Sequence, residues 1–373
     1  CSDSMVVDAM ATTLIIVAVG ISLLLTVNSV INHFALIRPK PARIASRVAI
    51  LIPARNEESS ITSAVQSVLN QELLDQFEVV VLNDGSTDAT AEKLSALTHP
   101  KLRVINGEPE LPQGWLGKNW ACHRLSESVD ADFLVFIDSD VTLEPLAVAS
   151  AINALIENQL HLVSPYPRQL APTLLARIVQ PLLQWSWLTT VPLRTTRLSL
   201  RPSLAVANGQ FLVCRADSYA TSGGHKEIKS EVLDDIELLR LFYRNGFTGC
   251  VIDGSDIATC KMYETNQDLI AGYAKSLWNA FGGPIGSLFV NTFFLFVYIF
   301  PLSGLFTGHV PLALLALMSG IVGRLVSAKT SSGRLLPDSL LHPISILAFS
   351  LLNLVSWWRH LMGTNTWKSR DLK

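Results

Sequence analysis

The chain has 373 residues, 49% of them hydrophobic, with 29 Lys+Arg against 31 Asp+Glu and a formal net charge of -2. This apolar content excludes a disordered chain, and the near-neutral balance excludes a nucleic-acid binder held by bulk positive charge. Only 16% of residues are charged, well below the roughly 25% of soluble domains, and the deficit is local. Residues 9–37, 276–323 and 339–358 contain no Asp, Glu, Lys or Arg, and all but 11 charges lie within 38–275. The pattern is that of a water-soluble domain carried between membrane segments.

Segment 11–32 is the first of these segments, since about 20 apolar residues cross a bilayer core. Arg38, Lys40, Arg43 and Arg47 follow it directly, which by the positive-inside rule puts residue 38 onward in the cytoplasm. No basic stretch precedes the segment, which argues against a signal peptide. The chain begins with Cys1 rather than Met, so a truncated or processed start is expected.

From residue 47 the pattern changes. RVAILI (47–52), FEVVVL (77–82), LRVIN (102–106) and DFLVFI (132–137) read as short buried strands. Helical stretches at 57–70, 88–97 and 117–129 separate them, the first with Ile61, Val65, Val68 and Leu69 on one face. Alternating strands and helices predict βαβ units and a parallel sheet, with ligands at the carboxyl ends of its strands. Polar clusters sit there: 53–58 after the first strand, Asn83–Asp88 after the second, and Asp138-Ser139-Asp140 after the fourth. A carboxylate at the end of an apolar strand needs a partner or a cation. The paired carboxylates of Asp138 and Asp140 suit a hard divalent ion, Mg2+ or Mn2+, that also takes substrate phosphates. The plainer reading of such a triplet is a solvated turn. In NDGSTD, Asp84-Gly85 also makes a turn, and Ser86 or Thr87 is expected to cap the next helix.

Residues 178–193 form a further uncharged stretch. It is short for a span and is interrupted by Pro181 and Pro192. With Trp185 and Trp187 it reads as a membrane-facing or acceptor-binding element lying in the interface, against the alternative of an ordinary core helix. Asp234-Asp235 opens a helical run, where a carboxylate pair is favourable with the helix dipole whatever else it does. Further on, 285–305, 309–326 and 340–358 are long enough to span. The loop bearing Arg324, Lys329 and Arg334 fits the inside. Four full spans would put the tail with Arg359, Lys368, Arg370 and Lys373 outside, against the same rule. The five cysteines show no paired spacing, which predicts reduced thiols in a cytoplasmic domain rather than a disulfide or zinc framework.

PARNEE (53–58), NDGSTD (83–88), Gly117-Lys118, Asp138-Ser139-Asp140 and Asp234-Asp235 together resemble the inverting nucleotide-sugar glycosyltransferases of family 2. They occur in family order over residues 48–280. GWLGKNWA (114–121), NGQ (208–210), GGH (223–225) and the apolar C-terminus are similar to the membrane enzymes that glycosylate hopanoids or carotenoids (the diaponeurosporenoate kind). The implied fold is an α/β, Rossmann-like GT-A nucleotide-sugar domain with a mainly parallel sheet, plus N- and C-terminal transmembrane helices. The implied layout is a membrane span in 1–37, a cytoplasmic catalytic domain in 38–284 and a membrane region in 285–373.

The resemblance also assigns roles. Pro53, Ala54, Arg55, Glu57 and Asp84 would line the nucleoside pocket, Lys118 would meet the diphosphate, and Asp138 would meet the ribose. Asp140, with Asp138, would hold the divalent metal. Asp235 would be the catalytic base, beside Asp234 where many members have Glu. Gly209, His225, Lys275 and Trp278 would serve the acceptor. Around Trp278 the Gln and Arg of the processive polysaccharide synthases are missing, which favours transfer of a single sugar. TWKSR (366–370) resembles a terminal motif of related membrane members, and equally a solvated basic tail. The implied reaction is inverting transfer from a UDP-sugar to a hydroxyl of a membrane lipid such as a carotenoid or hopanoid. The setting would be the plasma membrane of a bacterium, with a nucleotide-sugar donor, a lipid acceptor and the bilayer as partners, and no nucleic acid. The alternatives are a polyprenyl-phosphate sugar transferase and a non-catalytic membrane scaffold.

Overall fold

The structure, a computed structural model, describes residues 2–108, 110–196, 199–363, 366–367 and 370–371. Lys368 and Ser369 of the TWKSR segment, and Lys373 of the basic tail, lie outside the described residues. The chain divides into two units.

The α/β unit comprises Leu36–Leu170 and Leu193–Met262. Its strands are β1 (Ile44–Ala54), β2 (Leu74–Asn83), β3 (Leu102–Asn106), β4 (Phe133–Ile137), β5 (Val141–Leu143), β6 (Leu162–Gln169), β7 (Phe211–Arg215) and β8 (Gly249–Cys260). They form one eight-stranded sheet in the order β3-β2-β1-β4-β7-β6-β8-β5. β3, β2, β1 and β4 run parallel, as do β6 and β8, while β7 and β5 run against their neighbours. The sequence reads as continuous apolar runs because both faces of the central strands are covered. Val48, Ile50 and Ile52 meet one layer, which includes Ile61, Val65 and Val68 of the helix Ile61–Leu69 and Val148 and Ile152 of Ala147–Glu157. Ala49 and Leu51 meet the other, with Cys122 and Leu125 of Gly117–Glu127 and Leu238 and Phe242 of Asp234–Arg244.

This topology positions the polar clusters. The parallel strands bring Ala54, Asn83 and Asp138 to one edge of the sheet. Because β7 is antiparallel to β4, with Ile137 opposite Phe211, its amino-terminal end reaches the same edge. The Asp138 N–H donates to the Gln210 carbonyl at 3.1 Å. One local expectation changes. The helix after NDGSTD starts at Thr90, and its first turn is capped by Asp88, which accepts from the Thr90 N–H at 3.0 Å. Ser86 and Thr87 are engaged elsewhere. Ser86 Oγ accepts from the Asn56 N–H at 3.1 Å, and the Thr87 N–H donates to Asn56 Oδ1 at 2.8 Å, so these residues fasten the loop after β2 to the loop after β1.

The helical unit comprises residues 1–35, Ala171–Pro192 and Tyr263–Lys373. Among the described residues, four of its helical segments are long and apolar enough to cross a membrane: Asp8–Ala35, Pro284–Leu305, Val310–Thr330 and Asp338–Leu361. Small and polar side chains tie the first of these to the third and to the end of the helix Pro181–Thr190. Ser22 and Ser319 hydroxyls lie 2.7 Å apart, and Asn32 Nδ2 donates to the carbonyls of Leu188 and Val191 at 2.8 and 2.6 Å. Trp185, expected on a membrane-facing surface, lies in the interior, with its ring 5.4 Å from Phe294 and 4.8 Å from His342. The reason is periodicity. Leu182, Trp185, Leu188 and Thr189 of the helix Pro181–Thr190 fall on one buried face, so the apolar stretch serves the bundle core. The helix Asn266–Ala280 also packs in this unit rather than in the α/β unit.

Candidate active site

A cleft opens at the carboxyl edge of the sheet. It is lined by Pro53, Lys118, Cys122, Phe136, Asp138, Gly209, Leu212, His225, Asp234, Asp235 and Leu238. Seven of these come from the expected set, and they arrive from separate parts of the chain. Pro53 and Asp138 end β1 and β4. Lys118 stands in the first turn of Gly117–Glu127, Gly209 precedes β7, and Asp234-Asp235 begin Asp234–Arg244.

Lys118 is the electrostatic hub. Its Nζ lies 2.9 Å from Asp138 Oδ1 and 3.3 Å from Asp234 Oδ2. Burial alone would lower this ammonium, but Asp138 and Asp234 hold it well above the ordinary lysine range. Burial raises the Asp138 carboxyl despite Lys118. Asp235 is held by two backbone donors: the Gly209 N–H reaches its Oδ2 and the Ile236 N–H its Oδ1, both at 2.8 Å. Burial and the neighbouring Asp234 charge still push the Asp235 carboxyl up to about 6. A carboxylate poised there can take a proton near neutral pH.

His225 is buried. Its Nδ1 lies 2.7 Å from the Tyr219 hydroxyl, its ring packs on Phe136, and burial pulls it down to about 4. It is a neutral imidazole in the wall. Burial likewise keeps the Cys122 thiol neutral.

The remaining expected residues support the edge. Arg55 Nη1 donates to the carbonyls of Asp84 and Gly85 at 2.6 and 3.2 Å, and the buried Asp84 donates its N–H to the Ala54 carbonyl at 2.8 Å. Glu57 accepts from Ser60 Oγ at 3.2 Å. Asp140 follows in the turn between β4 and β5, where its carboxylate meets the buried Cys260 thiol. Lys275 and Trp278 belong to the helical unit. There the Trp278 ring stacks on His360 at 3.8 Å, and the Trp278 backbone N–H donates to Ser356 Oγ at 2.9 Å. Cys122, Phe136, Leu212 and Leu238 were not expected in the cleft. Cys122 stands one helical turn after Lys118, so helical spacing could have found it. The other three look like ordinary core until the strand faces are known.

Among the described residues, no group of three or more His, Cys, Asp and Glu side chains forms a metal cage. Asp138 and Asp140 supply two carboxylates. That number fits a Mg2+- or Mn2+-type ion whose other ligands are substrate phosphates and water.

A doubly covered α/β sheet with a polar cleft at the carboxyl ends of its strands is the place where open α/β folds bind their ligands. Residues 49–221 match the model for "Glycosyl transferase family 2". Over that stretch the chain is similar to the family 2 glycosyl transferases, and its sheet is GT-A-like. The chain is 26% identical over 246 residues to a 4,4'-diaponeurosporenoate glycosyltransferase of Staphylococcus haemolyticus, covering 62% of this chain and 60% of that protein. It is 26% identical over 240 residues to the enzyme of the same name from Staphylococcus aureus, covering 63% and 62%. The match thus spans about 60% of the length of these relatives. Among solved structures, a Pyrobaculum calidifontis mannosyltransferase in complex with GDP-Man and Mn2+ superposes with a TM-score of 0.54 at 17% identity, over 93% of this chain and 98% of that one. That likeness is one of fold.

Proposed function

We propose that this protein is a membrane-bound glycosyltransferase that moves one sugar from a nucleoside-diphosphate sugar to a hydroxyl of a membrane lipid, with inversion. The observation that carries the reading is the meeting of Lys118, Asp138, Asp234 and Asp235 in one cleft at the carboxyl edge of the sheet. The family 2 match and the relatives named for diaponeurosporenoate support a glycosyl donor and a carotenoid-type acceptor. A UDP-sugar is the donor we favour. The four long apolar helices would anchor the protein. Arg38, Lys40, Arg43 and Arg47 would keep the α/β unit in the cytoplasm, at the plasma membrane of a bacterium.

In this reading, Pro53, Ala54, Arg55, Glu57 and Asp84 shape the nucleoside end of the site. Lys118 faces the diphosphate and lends its charge to the departing oxygens. Asp235, oriented by the N–H groups of Gly209 and Ile236, takes the acceptor proton as the hydroxyl attacks the anomeric carbon from the face opposite the diphosphate. Asp234 shares Lys118 with Asp138, which fixes the ammonium, while burial and the Asp234 charge keep the Asp235 proton affinity high. Gly209 and His225 wall the acceptor side of the cleft. Asp140 and Asp138 would hold a divalent cation, which when bound neutralises charge on the leaving diphosphate.

The test is incubation of membranes containing the protein with a panel of labelled nucleotide sugars, followed by mass spectrometry of the lipid extract. One hexose added to a lipid, from one donor and absent in Asp235→Asn, is the expected result. Labelled polymer, or label on no lipid, would overturn the reading.

A further inference from the structure

The helical unit buries polar groups that its own side chains leave unsatisfied. Arg324, in the helix Val310–Thr330, is 2% exposed, and its Nη1 has no hydrogen-bond partner among the described residues. The same holds for both ends of the Gln180 amide, both ring nitrogens of His342 and Nε1 of Trp185, in side chains no more than 1% exposed. Buried polar groups are nearly always satisfied, and several orphans in one bundle call for an occupant.

These groups come from three packed segments. Trp185 and His342 have ring centroids 4.8 Å apart. A Cβ on Gly323 would lie 3.4 Å from Trp185 Nε1, and one on Gly320 would lie 2.5 Å from His342 Cδ2. Two glycines therefore let the indole and the imidazole close on the turn that carries Arg324, and Arg324 lies within electrostatic reach of His342. Arg177, Gln180 and Gln184 are spaced three and four apart, on the face that reaches Asp338 and Ser331.

The charges do not balance. The buried Asp338 carboxylate receives Arg177 through Nε at 3.0 Å and through Nη2, and Arg334 lies 3.6 Å away. Arg324 feels that carboxylate at longer range, but it makes no ion pair among the described residues. Three guanidinium groups face one carboxylate. Water could satisfy the hydrogen bonds of Arg324, but only an anion cancels its charge. An unpaired charge at membrane depth is strongly unfavourable and marks a functional site by default.

We propose that Arg324, with Gln180, Trp185 and His342, binds the anionic headgroup of a membrane lipid. The guanidinium fork matches carboxylate or phosphate oxygens, with the indole N–H and the Gln180 amide as further donors. Arg324 lies six residues before the end of its helix, roughly 9 Å inside at 1.5 Å per residue. An anion reaching that depth is best carried on an apolar chain. The lipid source rests on reading these helices as spans; the anion site does not.

The test uses the full chain in dodecyl maltoside with oleyl phosphate, oleate, oleyl alcohol and inorganic phosphate, read by native mass spectrometry and tryptophan fluorescence. Oleyl phosphate or oleate should bind at least tenfold more tightly than the alcohol or inorganic phosphate, and the two acids tell which anion is preferred. Arg324→Gln should lose at least tenfold in that affinity. Equal binding of oleyl alcohol or unchanged affinity in Arg324→Gln would each overturn the site, and binding of inorganic phosphate without oleyl phosphate or oleate would overturn the lipid headgroup as its occupant. Should Arg324→Gln not fold, Arg324→Lys and Gln180→Leu decide: each should weaken binding severalfold, and wild-type affinity in both overturns it. Carbonate extraction of membranes tests integration separately, so a protein that binds oleyl phosphate but is stripped by carbonate refutes only the membrane reading.

Discussion

The Gly209 N–H donates to Asp235 Oδ2 at 2.8 Å, and no residue larger than glycine fits there without displacement. A Cβ at 209 would lie 3.1 Å from Lys118 Nζ and 3.3 Å from Asp235 Cβ. The contact joins the entrance of an antiparallel strand to the start of a helix, and it aims the carboxylate assigned here as the base.

Gly209→Ala is therefore expected to leave the sheet intact and to lower the transfer rate by about tenfold to a hundredfold, the usual cost of misplacing a reacting group by up to an ångström. Circular dichroism and donor binding should be near wild type. A wild-type rate would separate Gly209 from the alignment of Asp235.

Asp235→Asn should retain nucleotide-sugar binding and lose transfer by a factor of roughly 10²–10⁴, the range for removal of a general base. Isothermal titration with the donor and a single-turnover assay measure the two separately. Loss of donor binding with transfer per bound donor unchanged would reassign the residue to the donor pocket.

The pH dependence has a definite sign. Asp235 acts as a base only when ionised, so transfer should rise with pH through about 6 and then level. The charged groups facing it are Asp234, which raises its proton affinity, and Lys118, which lowers it. Since the folded pKa is raised, its contribution to stability is present at low pH and is lost as pH rises from the ordinary carboxyl range through about 6. The melting temperature of Asp235→Asn should therefore exceed wild type at pH 7.5, and the gap should narrow toward pH 4.

Asp140→Asn should abolish transfer and weaken its dependence on added Mg2+ or Mn2+, while EDTA should silence the wild-type protein reversibly. Full activity in EDTA would remove the cation from the scheme. Paramagnetic broadening by Mn2+ in the presence of a nucleoside diphosphate, reduced in Asp140→Asn, gives a readout independent of turnover.

Much of the fold was legible in the sequence, for a physical reason. Strands buried on both faces must be apolar throughout, so RVAILI, FEVVVL and FLVFI announce themselves, and the polar residues that end them fall at the ligand edge. The charge-free runs coincide with the four long apolar helices, because an unbroken apolar stretch of about 20 residues is legible from composition alone. Lys118 was legible only through the resemblance, since nothing in GWLGK says that its ammonium will reach Asp138.

Other features belong to the tertiary structure. The helical face of Trp185 was readable, but whether that face met lipid or protein depended on a bundle assembled from distant segments. Likewise, Asn266–Ala280 looked like part of the soluble domain because it carries charges, yet it packs among the helices. The sequence by itself determined the layers of the α/β unit, the edge where chemistry gathers and the long apolar helices, because burial and periodicity are local properties. Only the tertiary structure decided that β7 enters between β4 and β6 against their direction. That reversal brings Gly209 to Asp235 and sets the Asp235 proton affinity through burial and Asp234, effects that arise only when distant segments share one low-dielectric cleft.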